Sequence, residues 1–157
     1  MRRLLPLLAL LLFAPRTSHA CQRFDPVVPE DIVAQADLIV RATAVDASRD
    51  PAPNVRFRVD EVVKGRHSPT ELALRGYAVN SDDFNDRPVP YDFVRKGGRS
   101  GDCVASTYKT GAQYLLMLKL QHGEYTTEWY GLGPTNEQLH DDRDPWLEWT
   151  RAQAKKK

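Results

Sequence analysis

The sequence predicts a mainly β chain, a five-stranded OB-type Greek-key barrel with a short N-terminal helix and a C-terminal helix. Three observations predict it. Three runs that alternate apolar and polar residues follow one another as a meander: Leu38 to Val45, Val55 to Asp60, and Thr70 to Tyr77. Two further runs, Gln113 to Leu120 and Tyr125 to Tyr130, flank His122-Gly123 as a hairpin. A long connector, residues 78–101, separates meander from hairpin, and five short strands in this order suit a small closed barrel better than a sandwich.

The elements follow in chain order. Met1-Arg2-Arg3, an apolar run from Leu4 to Ala14, and Ser18-His19-Ala20 before Cys21 have the layout of a secretory signal. Residues 1–20 are therefore expected to be a signal peptide and 21–157 the domain, secreted or periplasmic. A lipoprotein signal fits less well, because Ser18 stands where such signals carry Leu. Pro29-Glu30-Asp31 starts a short helix ending at Ala36, with Pro at its first position and acids in its first turn. Leu38, Val40, Ala42 and Ala44 then share one strand face, as do Val55, Phe57 and Val59, and later Leu72 and Leu74. The connector carries Asn80-Ser81-Asp82-Asp83-Phe84-Asn85-Asp86 and Lys96 to Gly101, with no clear element of its own. Gln113 to Leu120 is the strongest strand, with Tyr114, Leu116, Leu118 and Leu120 on one face. Thr135 to Leu139 reads as a short helical turn. A last helix runs over about 144–155, with Asp144 as N-cap and Pro145 at the first position.

Composition narrows the function. The 157 residues hold 22 Lys+Arg against 21 Asp+Glu, and removing residues 1–20 leaves 19 against 21, a net charge of −2. No basic stripe marks a nucleic-acid binder. No stretch after the N-terminus reaches the ~20 apolar residues of a membrane span. Catalysis finds little support: Gly98-Arg99-Ser100-Gly101 lacks the Gly-x-Ser-x-Gly pattern and a base, and His67, His122 and His140 each stand alone in turns. The chain is thus expected not to be an enzyme and to need no cofactor. Asp82-Asp83-Asn85-Asp86 and Asp141-Asp142-Asp144 lack EF-hand spacing and read as solvated loop acids. Tyr114, Tyr125, Trp129, Trp146 and Trp149 read as packing aromatics rather than a binding platform.

Cys21 and Cys103 carry the remaining chemistry. In an oxidising compartment two cysteines 82 positions apart read as a bridge, adding roughly 4–5 kcal/mol in the chain-entropy model. If processing ends at Ala20, the chain starts at Cys21 with a free α-amine of pKa about 7.7–8.0. Amine and adjacent carbonyl form a five-membered chelate for a divalent metal such as zinc. The plainer alternative is a bridge that only tacks down a fraying terminus.

These residues resemble the tissue inhibitors of metalloproteinases (TIMP) and their netrin-like (NTR) relatives. The matching pieces are Cys21 after the signal, the helix ending Ala36-Asp37, the strand Leu38 to Val45, and Val55 to Gly65 ending Val62-Val63-Lys64-Gly65. Ser100-Gly101-Asp102-Cys103-Val104 and Tyr114-Leu115-Leu116 complete the series. The resemblance implies an OB-type barrel and a Cys21–Cys103 disulfide. It also implies a protease-binding ridge of Cys21, Gln22, Arg23, Asp102, Cys103 and Val104. In that family the ridge enters a metalloprotease cleft. Carried over, Cys21 chelates the target's zinc in trans, Gln22 enters the specificity pocket, and Asp102-Cys103-Val104 flank it. Arg23 stands where the animal inhibitors carry a further cysteine, and its partner near Trp129 is missing as well, the pattern of a reduced bacterial-type member. The expected partner is a zinc metalloprotease or another extracytoplasmic protein. The alternative is an extracytoplasmic interaction or structural domain without protease inhibition, which binds through residues 78–101 or the Trp-bearing C-terminal helix.

Overall fold

The computed structural model describes residues 28–89, 95, 105–130 and 135–156; the expected signal peptide lies outside the described residues. The first described element is α1 (Pro29–Gln35). Its proline takes the first helical position and Glu30 and Asp31 fill the first turn, but no side chain caps it. Seven residues are too few to hold a helix in water. Two outside supports hold it. Ile32 and Val33 are buried, and Lys64 Nζ donates to the carbonyls of Val33, Ala34 and Ala36 at 2.8, 2.7 and 2.8 Å. The ammonium thus stands where the helix dipole is negative.

Three strands follow: β1 (Leu38–Ser48), β2 (Asn54–Lys64) and β3 (Glu71–Arg75). They form the expected antiparallel meander. The β1–β2 ladder shifts register three times, whereas β2–β3 runs without a shift. Shifts of this kind bend a strand and increase its twist. Gly65, at φ +139°, ends β2 against Leu38, where a Cβ would lie 2.8 Å from the leucine Cδ1.

The connector is not the structureless loop that its composition suggests. β4 (Tyr77–Val79) pairs in parallel with β5 (Thr107–Lys109). Gly76 makes that pairing possible. A Cβ there would meet the Ser106 carbonyl at 2.5 Å and the Tyr108 ring at 2.6 Å, so any side chain would push the segments apart. Phe84 makes a further bridge to Gln138.

β6 (Gln113–Gln121) is the spine, as expected. One of its edges pairs with β1 over Gln113 to Leu118. The other pairs with β7 (Glu124–Thr126) near its end and with β8 (Asn136–Leu139) near its start. Two expectations are corrected here. Residues 135–139 do not form a helical turn, because their peptide groups complete the open edge of β6. The second hairpin strand is only three residues long, and Leu120, expected to face inward, is 52 % exposed. The last element is α2 (Pro145–Ala154), where Asp144 Oδ1 accepts from the Trp146 amide at 2.9 Å as the sequence predicts.

The described chain is mainly β, with an antiparallel sheet of order β3-β2-β1-β6-β7, β8 on β6, and two helices among the described residues. Alternation along β6 feeds two apolar layers. Tyr114, Leu116 and Leu118 join Phe57, Val40 and Tyr108 on one face. Leu115 and Met117 meet Ile32 of α1 and Trp146 and Leu147 of α2 on the other. A bidentate ion pair fastens α2 to the sheet: Arg151 donates to both Glu61 oxygens at 2.9 and 2.5 Å. The Arg151 hydrogen bond, with Arg41 nearby, holds the Glu61 carboxyl below the usual glutamate range. The end strands β3 and β7 form no ladder and line a shared cleft of about 620 Å³.

Candidate functional site

All six residues of the sequence-predicted ridge, Cys21, Gln22, Arg23, Asp102, Cys103 and Val104, lie outside the described residues, and so does Ser100. The described chain resumes close to each half of the ridge, at Val28 and at Ala105. Val28 leads into α1, whose Ile32, Val33 and Ala36 pack with Leu115 and Met117 of β6. The Ala105 carbonyl accepts from Arg95 Nη2 at 2.8 Å and from Asn136 Nδ2 at 3.2 Å, and Asn136 in turn pairs with Leu116. α1, which follows Val28, and Ala105 thus both rest on one stretch of β6, Leu115 to Met117.

Arg95 is the residue that sequence reasoning missed in the connector. Its side chain is wholly buried. The guanidinium donates to the Thr107 carbonyl at 2.6 Å and to Ala105, and lies 4.9 Å from the Tyr108 ring and 5.3 Å from the Tyr114 ring. Asp83 stands 3.7 Å away as a counter-charge. A cation without such partners could not remain in the interior. Burial pushes both tyrosine hydroxyls up from their ordinary pKa, so they stay neutral beside the cation.

A second set of ties fixes the acidic turn 82–86. Gln138 Nε2 donates to Asp82 Oδ1 at 2.6 Å, and its carbonyl oxygen accepts from the Asp83 amide at 2.8 Å. Lys109 Nζ donates to Asp82 Oδ2 at 2.8 Å. These donors, Lys109 first and Gln138 next, hold the Asp82 carboxyl below the usual aspartate range. Asn85 donates to Glu137 Oε1 at 3.3 Å. The Phe84 ring stacks on His140 with centroids 4.1 Å apart. Asp82, Phe84, Lys109, Gln138 and His140 help to line an open cleft of about 380 Å³.

His140 corrects the expectation of a solitary turn histidine. Its Nδ1 lies 2.9 Å from Asp144 Oδ2, which also accepts from the His140 amide at 3.0 Å. Its Nε2 faces Asp86 at 3.7 Å. The two acidic clusters that the sequence keeps 55 or more positions apart thus meet at one ring. Among the described residues no group of three or more His, Cys, Asp or Glu could hold a metal ion. The aromatic residues pack as expected. Trp146 and Trp149 stack edge-on at 5.4 Å, and Trp129 Nε1 donates to the Met117 carbonyl at 2.9 Å. Among the described residues no helix is long and apolar enough to cross a membrane.

Chemically the described part of this end is a fixed polar surface. The carboxylates of Asp82, Asp83 and Asp144 and the imidazole of His140 are engaged by their neighbours in holding it together. Compared with protein-family models and with curated proteins, the chain matches none.

Proposed function

We propose that this chain is an exported binding module that resembles metalloprotease inhibitors and presents Cys21, tethered by a disulfide to Cys103, to an extracytoplasmic partner. In this reading the sheet is an OB-type barrel, in which β7 and β8 together serve as the fifth strand and the β3/β7 cleft is the seam. The strand order β3-β2-β1-β6-β7 and the shared apolar layer inside the sheet support that assignment. The observation that carries the functional reading is the common anchorage. α1, whose packed residues begin at Ile32, and Ala105, two positions after Cys103, are both secured to Leu115–Met117 of one strand. A wedge with two rigid roots loses little conformational entropy when it docks, and pre-organisation of this kind is much of an inhibitor's affinity. Cys21 then acts through its α-amine and carbonyl on the target's zinc, with Gln22 directed into the specificity pocket. The protein is secreted or periplasmic, carries no cofactor and performs no catalysis.

The test is a protein that begins at Cys21, assayed against a panel of zinc metalloproteases beside a version with one alanine added before Cys21. Slowing of a protease by the first form and none by the second supports chelation. Equal effects of both forms would reject it. The second reading, an interaction domain without protease inhibition, is favoured by the way Arg95 and Gln138 fasten the connector into a defined surface. It expects no protease effect from either form, and binding to an envelope or matrix protein that is lost when residues 78–101 are replaced.

A further inference from the structure

We infer that Arg95 is a positioning residue for the Cys103 half of the ridge: its guanidinium closes the open edge of β5 in place of a strand and so fixes Ala105, two positions after Cys103. The inference rests on the tethered-Cys21 reading proposed above.

β5 pairs with β4 in parallel, and the two form a separate sheet of three-residue strands. So short a pair is marginal by itself. The Tyr77 amide donates to the Ser106 carbonyl at 2.8 Å. By the alternation of a strand, Ser106 and Tyr108 turn their peptide groups to β4, and Ala105, Thr107 and Lys109 turn theirs to the other edge. Among the described residues no strand pairs along that edge. Side chains serve it instead. Arg95 Nη2 donates to the Ala105 carbonyl at 2.8 Å and Nη1 to the Thr107 carbonyl at 2.6 Å. The Tyr114 hydroxyl accepts from the Lys109 amide at 2.6 Å. The planar fork of arginine thus spans alternate carbonyls as the amides of a neighbouring strand would.

A backbone strand would close the edge without a charge in the interior. The guanidinium is wholly buried, and the Asp83 carboxylate at 3.7 Å and the faces of Tyr108 and Tyr114 keep it there. Asp83 is itself held in place, because its amide donates to Gln138 of β8 at 2.8 Å. The Ala105 carbonyl takes a second donor from β8, Asn136 Nδ2 at 3.2 Å. A Cys21–Cys103 bridge forms in proportion to the effective concentration of one thiol at the other, and that concentration falls when either end is free to wander. Arg95 therefore favours the bridge through the Ala105 carbonyl.

The experiment equilibrates the purified chain that begins at Cys21 with a glutathione redox buffer and reads the bridged fraction by thiol alkylation and mass spectrometry. Reduction breaks the Cys21–Cys103 bond into two thiols, while two glutathione thiols give up two protons and two electrons and join as one glutathione disulfide. In folded Arg95→Met the equilibrium constant for bridge formation is expected to fall about tenfold, a shift of roughly 30 mV. Arg95→Lys keeps the charge without the fork; its constant is expected between those of Arg95→Met and wild type, and it decides the matter if Arg95→Met does not fold. Val55→Ala, which trims a buried side chain of β2, is expected to leave the constant unchanged, because stability lost elsewhere does not move the thiols apart. A bridged wild type whose constant the Arg95 variants share overturns the inference and leaves the tether standing. An equal fall in Val55→Ala overturns it too, since the effect is then one of stability alone. A wild type with two free thiols overturns the tether, and this inference with it.

Discussion

β6 has neighbours of opposite character on its two edges. β1 meets it with Leu38, Ile39, Val40 and Ala42, all fully buried. β8 meets it with Asn136, Glu137, Gln138 and Leu139, also buried, although three of the four are polar. The apolar strand is held by area removed from water, which needs no particular partner. The polar strand is buried because each side chain has one: Asn136 the Ala105 carbonyl, Glu137 the Asn85 amide, Gln138 Asp82 and Asp83. Burial has two different causes on the two edges of a single strand, and only one of them leaves a hydrophobic pattern behind.

Truncation on the apolar side has the largest expected effect. Leu38→Ala removes a fully buried side chain from β1 and is expected to cost about 2–5 kcal/mol, read as a lower midpoint in urea. On the polar side Gln138→Leu keeps the volume and raises the apolar character. If area alone buried β8, this change would stabilise the protein. It is instead expected to destabilise by about 1–3 kcal/mol, since the Asp83 amide and an Asp82 oxygen lose their partner. Hydrogen exchange at the Asp83 amide should speed up in the same variant, while the β1 amides keep their protection.

The smallest effect separates the two sides by pH. The Asp82 carboxyl is held below its ordinary value by Lys109 and Gln138, so the folded chain binds its proton more weakly than the unfolded chain does. Its fastening of the connector is present above the usual aspartate range and is lost as pH falls through the folded value, below about pH 4. A carboxyl titration by NMR should find this low midpoint in the wild type and a rise towards the ordinary value in Lys109→Met. The β1–β6 ladder itself holds no carboxyl, and its acid response in that window is confined to Asp37 just before it, which accepts from the Leu120 amide.

The same contrast explains what could be read in the sequence. β1, β2 and β6 were legible because alternation at period two marks a half-buried strand, and α2 was legible because Asp144-Pro145 writes its own start. Asn136-Glu137-Gln138 has no such signature, since these residue types favour turns and helices until a neighbour supplies their hydrogen bonds. Arg95 was hidden for the same reason: a guanidinium enters the interior only when two carbonyls and two aromatic faces, here supplied by Ala105, Thr107, Tyr108 and Tyr114, are assembled around it. The ridge is implied by the family resemblance and lies outside the described residues, while the resting of both α1 and Ala105 on β6 is visible only in three dimensions. His140 followed the same rule, with its Phe84 and Asp86 neighbours more than 50 positions upstream.

Lys64 carries one more lesson. A seven-residue helix at the start of the described chain is closed by an ammonium donated from the end of β2, some thirty positions downstream. The placement of α1 is consequently decided late in synthesis, after the second strand has emerged and docked. A change as slight as neutralising that single amine would leave α1 moored by Ile32 and Val33 alone, while every strand stayed where it is.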